Sequence, residues 1–485
     1  MSQVDVMIRA QLEPDGIAAI LARYAAIVDD SQSLLAVSQA PLPVCCWHNP
    51  LKCGEASLLA ALADQAITLE PIAWQPGAFR SHHWPGPGNT LPFSAGWYYV
   101  QEEIAMTAVA ALAPQPGERI LDLCAAPGGK TAQIALLNPT GTVIANEMQA
   151  ARLPSLSVNL NRLGLTQVIT TQADGRSLPL PDQSFDRVLV DAPCSGEGNL
   201  RRRRRFRPWH PTHGLRMATV QQKLLSRALD LVKPGGTVVY STCTFAPEEN
   251  EAVLDAVMGD RAVVVPFKIP GLTAQPGLAQ WQGQTYRADI KHAQRYFPHF
   301  NNTGGFFVAR LQRTSVPPLT KAPGVSHSSV TQPHLPPVPW SIDESPLLQL
   351  CERFAIAPSI FDSYDCWATG KHRFWLLDRT SRPPTELGVQ TVGLALATQT
   401  NLGLKPSTAF LQRFGPLGQK NVVHLPDLGA ATQFLRGESQ HLLADVEPGY
   451  VHVRFRQFEL GCGRYRGGWL DSQIPKILRR PTLDS

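Results

Sequence analysis

The chain has 485 residues, 44% of them hydrophobic, and 44 basic against 39 acidic side chains give it a formal net charge of +5. That length exceeds one ordinary core and suggests several domains, while so small a charge does not by itself demand a polyanionic partner. No apolar run reaches the roughly 18 residues of a membrane span, and Met1 to Ala10 lack a basic stretch leading into an apolar one, so neither a spanning helix nor a signal peptide is expected.

In chain order, residues 1–95 read as a mixed α/β segment. Ile17, Ile20, Leu21, Tyr24 and Ile27 recur at helical spacing, whereas 74–92, rich in Trp, His, Pro and Gly, reads as loop. Cys45, Cys46 and Cys53 near His48 have the composition of a metal site but not its spacing, and are read as buried thiols. The odd total of nine cysteines, with no paired C-x2-C, suits a reducing, cytoplasmic setting.

From 96 to 313 strand and helix signals alternate. Strands are expected at 119–123, 142–146, 168–171, 187–190, 237–241, 262–266 and 306–311, with helices at 131–137, 151–163 and 219–232. Leu153, Leu156, Leu160 and Leu163 share one face of the middle helix; Pro154 fits its first turn and Gly164 its end. Such alternation predicts an α/β fold with a doubly wound, mainly parallel sheet. Residues 314–340 contain seven prolines and read as a linker. Two smaller units are assigned to 341–400 and 401–485, with a helical patch near 346–354 and strands at 374–377 and 450–455.

In a doubly wound sheet, ligands sit beyond the carboxyl ends of the strands. After the first strand come Cys124, Ala125, Ala126, Pro127, Gly128, Gly129 and Lys130, a small-residue turn that bares backbone N–H groups to a cofactor. This is neither G-x-G-x-x-G nor a P-loop. Glu147 follows the second strand, nineteen residues past Gly128, where an acid meets ribose hydroxyls. Asp174 follows the third strand, Asp191 and Cys194 the fourth, and Cys243 the fifth. Lys130 is placed to meet a carboxylate, which S-adenosylmethionine carries and a nicotinamide cofactor lacks.

Leu-Cys-Ala-Ala-Pro-Gly-Gly-Lys-Thr (123–131), Val-Asp-Ala-Pro-Cys-Ser-Gly (190–196) and Lys-Pro-Gly-Gly…Tyr-Ser-Thr-Cys-Thr…Pro-Glu-Glu-Asn-Glu (233–251) resemble the Nop/Sun (NSUN) family of RNA cytosine-C5 methyltransferases. Trp97-Tyr-Tyr-Val-Gln-Glu102 resembles the entry to that family's catalytic domain, and Arg295-Tyr-Phe-Pro-His299 with Gly304-Gly-Phe-Phe307 its closing motif. The tail, from Gly449 through Trp469 to Lys476, resembles the PUA-like end of the bacterial small-subunit rRNA members, the RsmF type. The resemblance implies a Rossmann-like S-adenosylmethionine-dependent methyltransferase domain (96–313), an N-terminal RNA-binding segment (1–95) and a C-terminal PUA-like domain (401–485). It also implies the roles at the site. Cys243 would attack cytosine C6, Cys194 would assist release, and Asp191 would bond the cytosine edge beside the cofactor. The cofactor would rest on residues 124–130, Glu147, Asp174 and Asp191.

The run Arg201–Arg205, with Phe206, Arg207 and Trp209, is the densest charge in the chain and is expected to meet phosphate. It is longer than the one or two basic residues usual in the family. Arg454, Arg456, Arg464, Arg466, Lys476, Arg479 and Arg480 form a second basic set suited to RNA. The expected partner is therefore RNA, with small-subunit rRNA favoured, and not DNA or membrane; the chain is expected to be a monomer. Two other readings stand beside this one: a tRNA cytosine-C5 methyltransferase, and a non-catalytic RNA-binding assembly factor that keeps the fold.

Overall fold

The structure, a computed structural model, describes residues 14–202, 211–314, 340–370 and 372–480. At its centre lies a ten-stranded sheet. The middle strands are β1 (Arg119–Asp122), β2 (Thr142–Asn146), β3 (Val168–Thr171), β4 (Phe185–Asp191) and β5 (Val232–Thr242). They pair in the order β5-β4-β1-β2-β3, all parallel. Residues on both faces are buried, which is why Val143-Ile144-Ala145 and Val188-Leu189-Val190 are apolar throughout instead of alternating.

Four helices cover the two faces: α1 (Gly129–Leu137), α2 (Leu153–Leu163), α3 (Pro211–Leu231) and α4 (Glu251–Met258). Ile120, Val143 and Leu189 pack with Ile134, Leu156 and Leu160 of α1 and α2. Their chain neighbours Leu121, Ile144 and Val188 point the other way, onto Leu225, Leu229 and Leu254 of α3 and α4. Each such leucine, fully buried, contributes about 1.5–3 kcal/mol. Pro154 does lie in the first turn of α2, and Gly164 caps its end. α3 starts at Pro211, earlier than the apolar periodicity indicated, because Thr212, His213, Leu215 and Arg216 in its first two turns are exposed and show no apolar face.

Three antiparallel strands extend the β5 edge: β6 (Gln275–Pro276), β7 (Gln294–Tyr296) and β8 (Phe306–Arg313). Ala262–Val264 also pairs with β8. The opposite edge is covered by β9 (Val389–Val392), antiparallel to β3. Its Thr391 hydroxyl lies 2.6 Å from that of Thr170, 221 residues earlier. A bare β3 would offer unpaired ladder groups, yet nothing local in the sequence points to so distant a partner.

The N-terminal segment forms a four-stranded antiparallel sheet from Val44–His48, Glu70–Pro71, Ala78–Ser81 and Tyr98–Val100. Cys46, Phe79 and Tyr98 share one core with Val451, Phe458 and Leu470 near the C-terminus. The rings of Trp97 and Phe458 sit 4.7 Å apart. After the proline-rich stretch, which lies almost wholly outside the described residues, two further five-stranded sheets follow. The first runs from Trp340 to Pro406 and the second from Val422 to Ser472.

Candidate active site

β1 and β4 are neighbours, and the strand order leaves them in opposite directions, so a crevice opens beyond their carboxyl ends. On one side stands the turn 124–130. Gly128 has φ +107°, a conformation closed to larger residues, and it begins α1 without a side chain to cap it. The first-turn N–H groups of α1 are thereby left for an acceptor. Thr131 donates from Oγ1 to Asp122 at 2.6 Å, and burial pushes the Asp122 carboxyl up to about 7. Cys124 lies in the turn with its thiol pushed up by desolvation.

The strand ends beyond that turn carry the expected acids. Glu147, at the end of β2, is buried; it accepts from the Gln149 N–H at 2.8 Å and faces the Arg152 guanidinium at 3.2 Å. Asp174 accepts from Arg176 at 2.9 Å, and that bond holds its carboxyl below the usual range. Asp191, at the end of β4, accepts from Lys130 Nζ at 2.7 Å and from Ser241 Oγ at 2.8 Å. Lys130, read from sequence as meeting a cofactor carboxylate, is thus engaged by a carboxylate of the protein.

On the other side stand the two cysteines. β4 and β5 run parallel and adjacent, so the loops that follow them meet, with Cys194 Sγ 3.3 Å from Cys243 Sγ. Both thiols are half-buried and not in a disulfide. Cys194, donating to Cys243, draws the Cys243 thiol below its ordinary range; Lys130 and the Asn199 amide add to this, against burial and Asp191. The same hydrogen bond, with burial, pushes Cys194 up as the holder of the shared proton.

A side-chain scaffold fixes these loops. Glu249 accepts from the Ser195 N–H at 3.0 Å and from Gln221 at 2.9 Å, and Gln221 also donates to the Pro193 carbonyl at 2.8 Å. Asn250 accepts from Thr242 Oγ1 at 2.6 Å and donates to the Thr244 carbonyl at 3.0 Å. Glu251 forms a fully buried ion pair with Arg295, which also donates to the Phe245 carbonyl at 2.9 Å. The Pro-Glu-Glu-Asn-Glu and Arg-Tyr-Phe-Pro-His segments therefore brace the cysteines. Gly198 gives its N–H to the Cys243 carbonyl at 2.8 Å, and a Cβ there would fall 2.1 Å from the Gly305 oxygen. From the N-terminal segment, Tyr24 donates to Glu197, which also accepts from Thr244 at 3.0 Å. Burial pushes Glu197 up to about 7.

Sequence reading singled out neither Asn199 nor Ser241. Asn199 Nδ2 lies 2.9 Å from Cys243 Sγ, but an asparagine after Gly-Glu-Gly carries no signal of that contact. Ser241 lay inside a quoted motif without a role. Of the arginine run, Arg201 is engaged internally by the carbonyls of Pro41 at 2.7 Å and Thr303 at 2.9 Å. Arg202 is exposed, and residues 203–207 and 209 fall outside the described residues. In the C-terminal basic set, Arg454 pairs with Glu459 at 2.8 Å, Arg480 lies over the Phe93 ring at 5.1 Å, and Arg466 is exposed. Of the three thiols expected to be buried, Cys45 and Cys46 are, whereas Cys53 is only half-buried. Among the described residues, no cluster of three His, Cys, Asp or Glu is arranged to hold a metal, and no helix is long and apolar enough to cross a membrane.

Comparison with known proteins adds context to this geometry. The family described as 16S rRNA methyltransferase RsmB/F matches residues 109–312, and the methyltransferase RsmF PUA domain matches 420–480. The ribosomal RNA small subunit methyltransferase F of Aeromonas hydrophila subsp. hydrophila is 32% identical over 450 residues, covering 89% of this chain and 90% of that one. The 28S rRNA (cytosine-C(5))-methyltransferase of Mus musculus is 37% identical over 309 residues; the match covers 62% of this chain but only 37% of the mouse protein's length. Among solved structures, a methyltransferase homolog protein from Pyrococcus horikoshii superposes with TM-score 0.53 at 30% identity, covering 62% of this chain and 99% of its own.

Proposed function

Since the chain belongs to the RsmB/F family of rRNA methyltransferases, we propose that it methylates C5 of a cytosine in RNA, with 16S rRNA as substrate and S-adenosylmethionine as methyl donor. The observation that carries the reading is the pair of thiols 3.3 Å apart beside Asp191 and Lys130. Cytosine C5 is a weak carbon nucleophile, and addition of a thiolate to C6 turns it into an enamine carbon. Cys243, with its thiol held below the ordinary range, is the better thiolate of the two. Its lone pair forms the S–C6 bond and pushes the ring electrons to C5.

S-adenosylmethionine, when bound, supplies an electrophilic methyl group. The residues present fit it. The uncapped start of α1 suits its carboxylate, and the buried Glu147 at the end of β2 suits a ribose diol. Asp174 at the end of β3 would meet the base, exchanging part of its bond to Arg176. Asp191, held by Lys130 and Ser241, accepts from the cytosine amino edge. After methylation, in which the S–CH3 pair stays with the donor's sulfur, Cys194 gives the proton it held in the resting pair to solvent and, as thiolate, takes the proton from C5. The C–H pair restores C5=C6, and the S–C6 pair returns to Cys243. Such a base must be extruded from any helix, because sulfur and methyl donor approach it from different directions.

The Aeromonas relative's name and the RsmF PUA match favour small-subunit rRNA. The N-terminal segment and the C-terminal sheet, packed together through Trp97 and Phe458, form the RNA-docking body in this reading. The test is bisulfite mapping of total RNA from cells with and without the gene. One 16S cytosine that loses protection only in the deletion supports the proposal; an unchanged 16S map removes rRNA as the substrate.

A further inference from the structure

We propose that Asn199 is a catalytic residue, whose side-chain amide donates a hydrogen bond to Cys243 Sγ and stabilises that sulfur as a thiolate before it attacks and again as it leaves. The inference rests on the reading of Cys243 as nucleophile. Its basis is a contact of 2.9 Å, short for an N–H donor on sulfur and suited to an anionic acceptor. The backbone that carries this side chain is held on both sides. The Asn199 N–H bonds the Gly196 carbonyl at 3.1 Å, and its own carbonyl accepts from Arg202 at 3.0 Å. Gly198 beside it is tied to the Cys243 carbonyl at 2.8 Å and to Gly305 at 2.9 Å. The donor thus sits on the same rigid lattice as the sulfur it serves, and needs no rearrangement when charge develops there.

The chemistry gives the amide two moments of action. In the resting pair the two sulfurs lie 3.3 Å apart, and the proton stays on Cys194 because Cys243 is the more acidic thiol. Once Cys243 has bonded to C6, its charge is gone and the Asn199 bond weakens. On release, Cys194, its own proton given up to solvent after the attack, takes the C5 proton, the C–H pair becomes the C5=C6 bond, and the S–C6 pair returns to Sγ, where the amide again meets an anion. A donor that favours the thiolate lowers its intrinsic nucleophilicity slightly, but it raises the population that attacks and improves the leaving group. Besides Cys194, the charged groups facing Cys243 are Asp191 at the end of β4 and Lys130 in the first turn of α1. Glu249 faces Cys194, and Glu197 lies behind Thr244.

The experiment uses the full-length chain. Alkylation of Cys243 by iodoacetamide is followed across pH by peptide mass spectrometry, in wild type, Asn199→Leu and Asn199→Asp. Loss of the donor should raise the inflection by about one pH unit, about a tenfold slower reaction at neutral pH that higher pH restores. Asn199→Asp keeps the size of the side chain and guards against a variant that fails to fold; it should shift the profile at least as far. Both variants should also retain more RNA-linked protein during turnover, since release is slowed. Profiles that stay at the wild-type position in both variants overturn the inference. Methylation by the wild type, measured in parallel, separates the two readings: turnover with unmoved profiles removes Asn199 alone. Shifted profiles in a chain that never methylates cytosine leave the amide's hold on the thiolate standing and remove the reaction.

Discussion

The turn after β1 and the loops after β4 and β5 lie at the same edge of one sheet, yet they are made of different material. The turn offers backbone: an uncapped helix start, a glycine at φ +107°, and a strand-end acid one strand away. Its residues are contiguous, and local conformation nearly suffices to shape it. The thiol crevice is made of side chains from distant segments, Cys194 with Cys243, Glu249 with Gln221, Glu251 with Arg295. The first construction tolerates change in its surroundings. The second depends on buried charges that must all be paired, because an orphaned partner is costly.

Substitutions should therefore separate the two halves. Cys243→Ala has the largest expected effect: methyl transfer should fall by about four orders of magnitude or more, while calorimetric binding of S-adenosylmethionine stays at the wild-type level. Residual turnover near wild type would take Cys243 out of the nucleophile's role. Arg295→Met should cost about 3–5 kcal/mol in urea unfolding, because Glu251 is left charged and buried. Adding Glu251→Leu should recover most of that loss; if it does not, the pair is not what braces the crevice.

Acidity sharpens the contrast further. The Cys243 thiol is held low, so its reactive form persists as pH falls through the range where a free thiol would already be protonated. The acid limb of kcat/KM should lie below the free-cysteine range, with rate lost about tenfold per pH unit beneath it. Lys130→Met removes a cation that lowers this group, and should move the limb to higher pH. The smallest effect is expected in the backbone-built half. Glu147→Gln should weaken S-adenosylmethionine binding by about tenfold, with kcat at saturation unchanged. A collapse of kcat instead would tie Glu147 to the thiol side.

The same contrast explains what could be read in the sequence. β2 and β3 were legible to the residue, because Thr142–Asn146 and Val168–Thr171 are short, apolar and bounded by turn residues. The turn at 124–130 was legible because its parts are adjacent. The convergence of Cys194 and Cys243 was legible only through a family resemblance; periodicity alone leaves them as two cysteines after two strands. β9 was not legible, since its pairing with β3 spans more than two hundred residues and follows a proline-rich stretch. Nor was the scaffold beneath the thiols, in which Gln221 of α3 reaches a carboxylate after β5. Hydrogen bonds between side chains far apart in the chain leave no periodic trace.

The central claim is that Cys243 bonds covalently to cytosine while Cys194 frees it. The most direct measurement is peptide mapping of Cys194→Ala after incubation with 16S rRNA and S-adenosylmethionine, under denaturing conditions. A methylated cytosine linked to the Cys243 peptide, absent from Cys194→Ala/Cys243→Ala, is the expected result. Turnover at the wild-type rate by Cys194→Ala with no trapped RNA, or a link at any other residue, would contradict it.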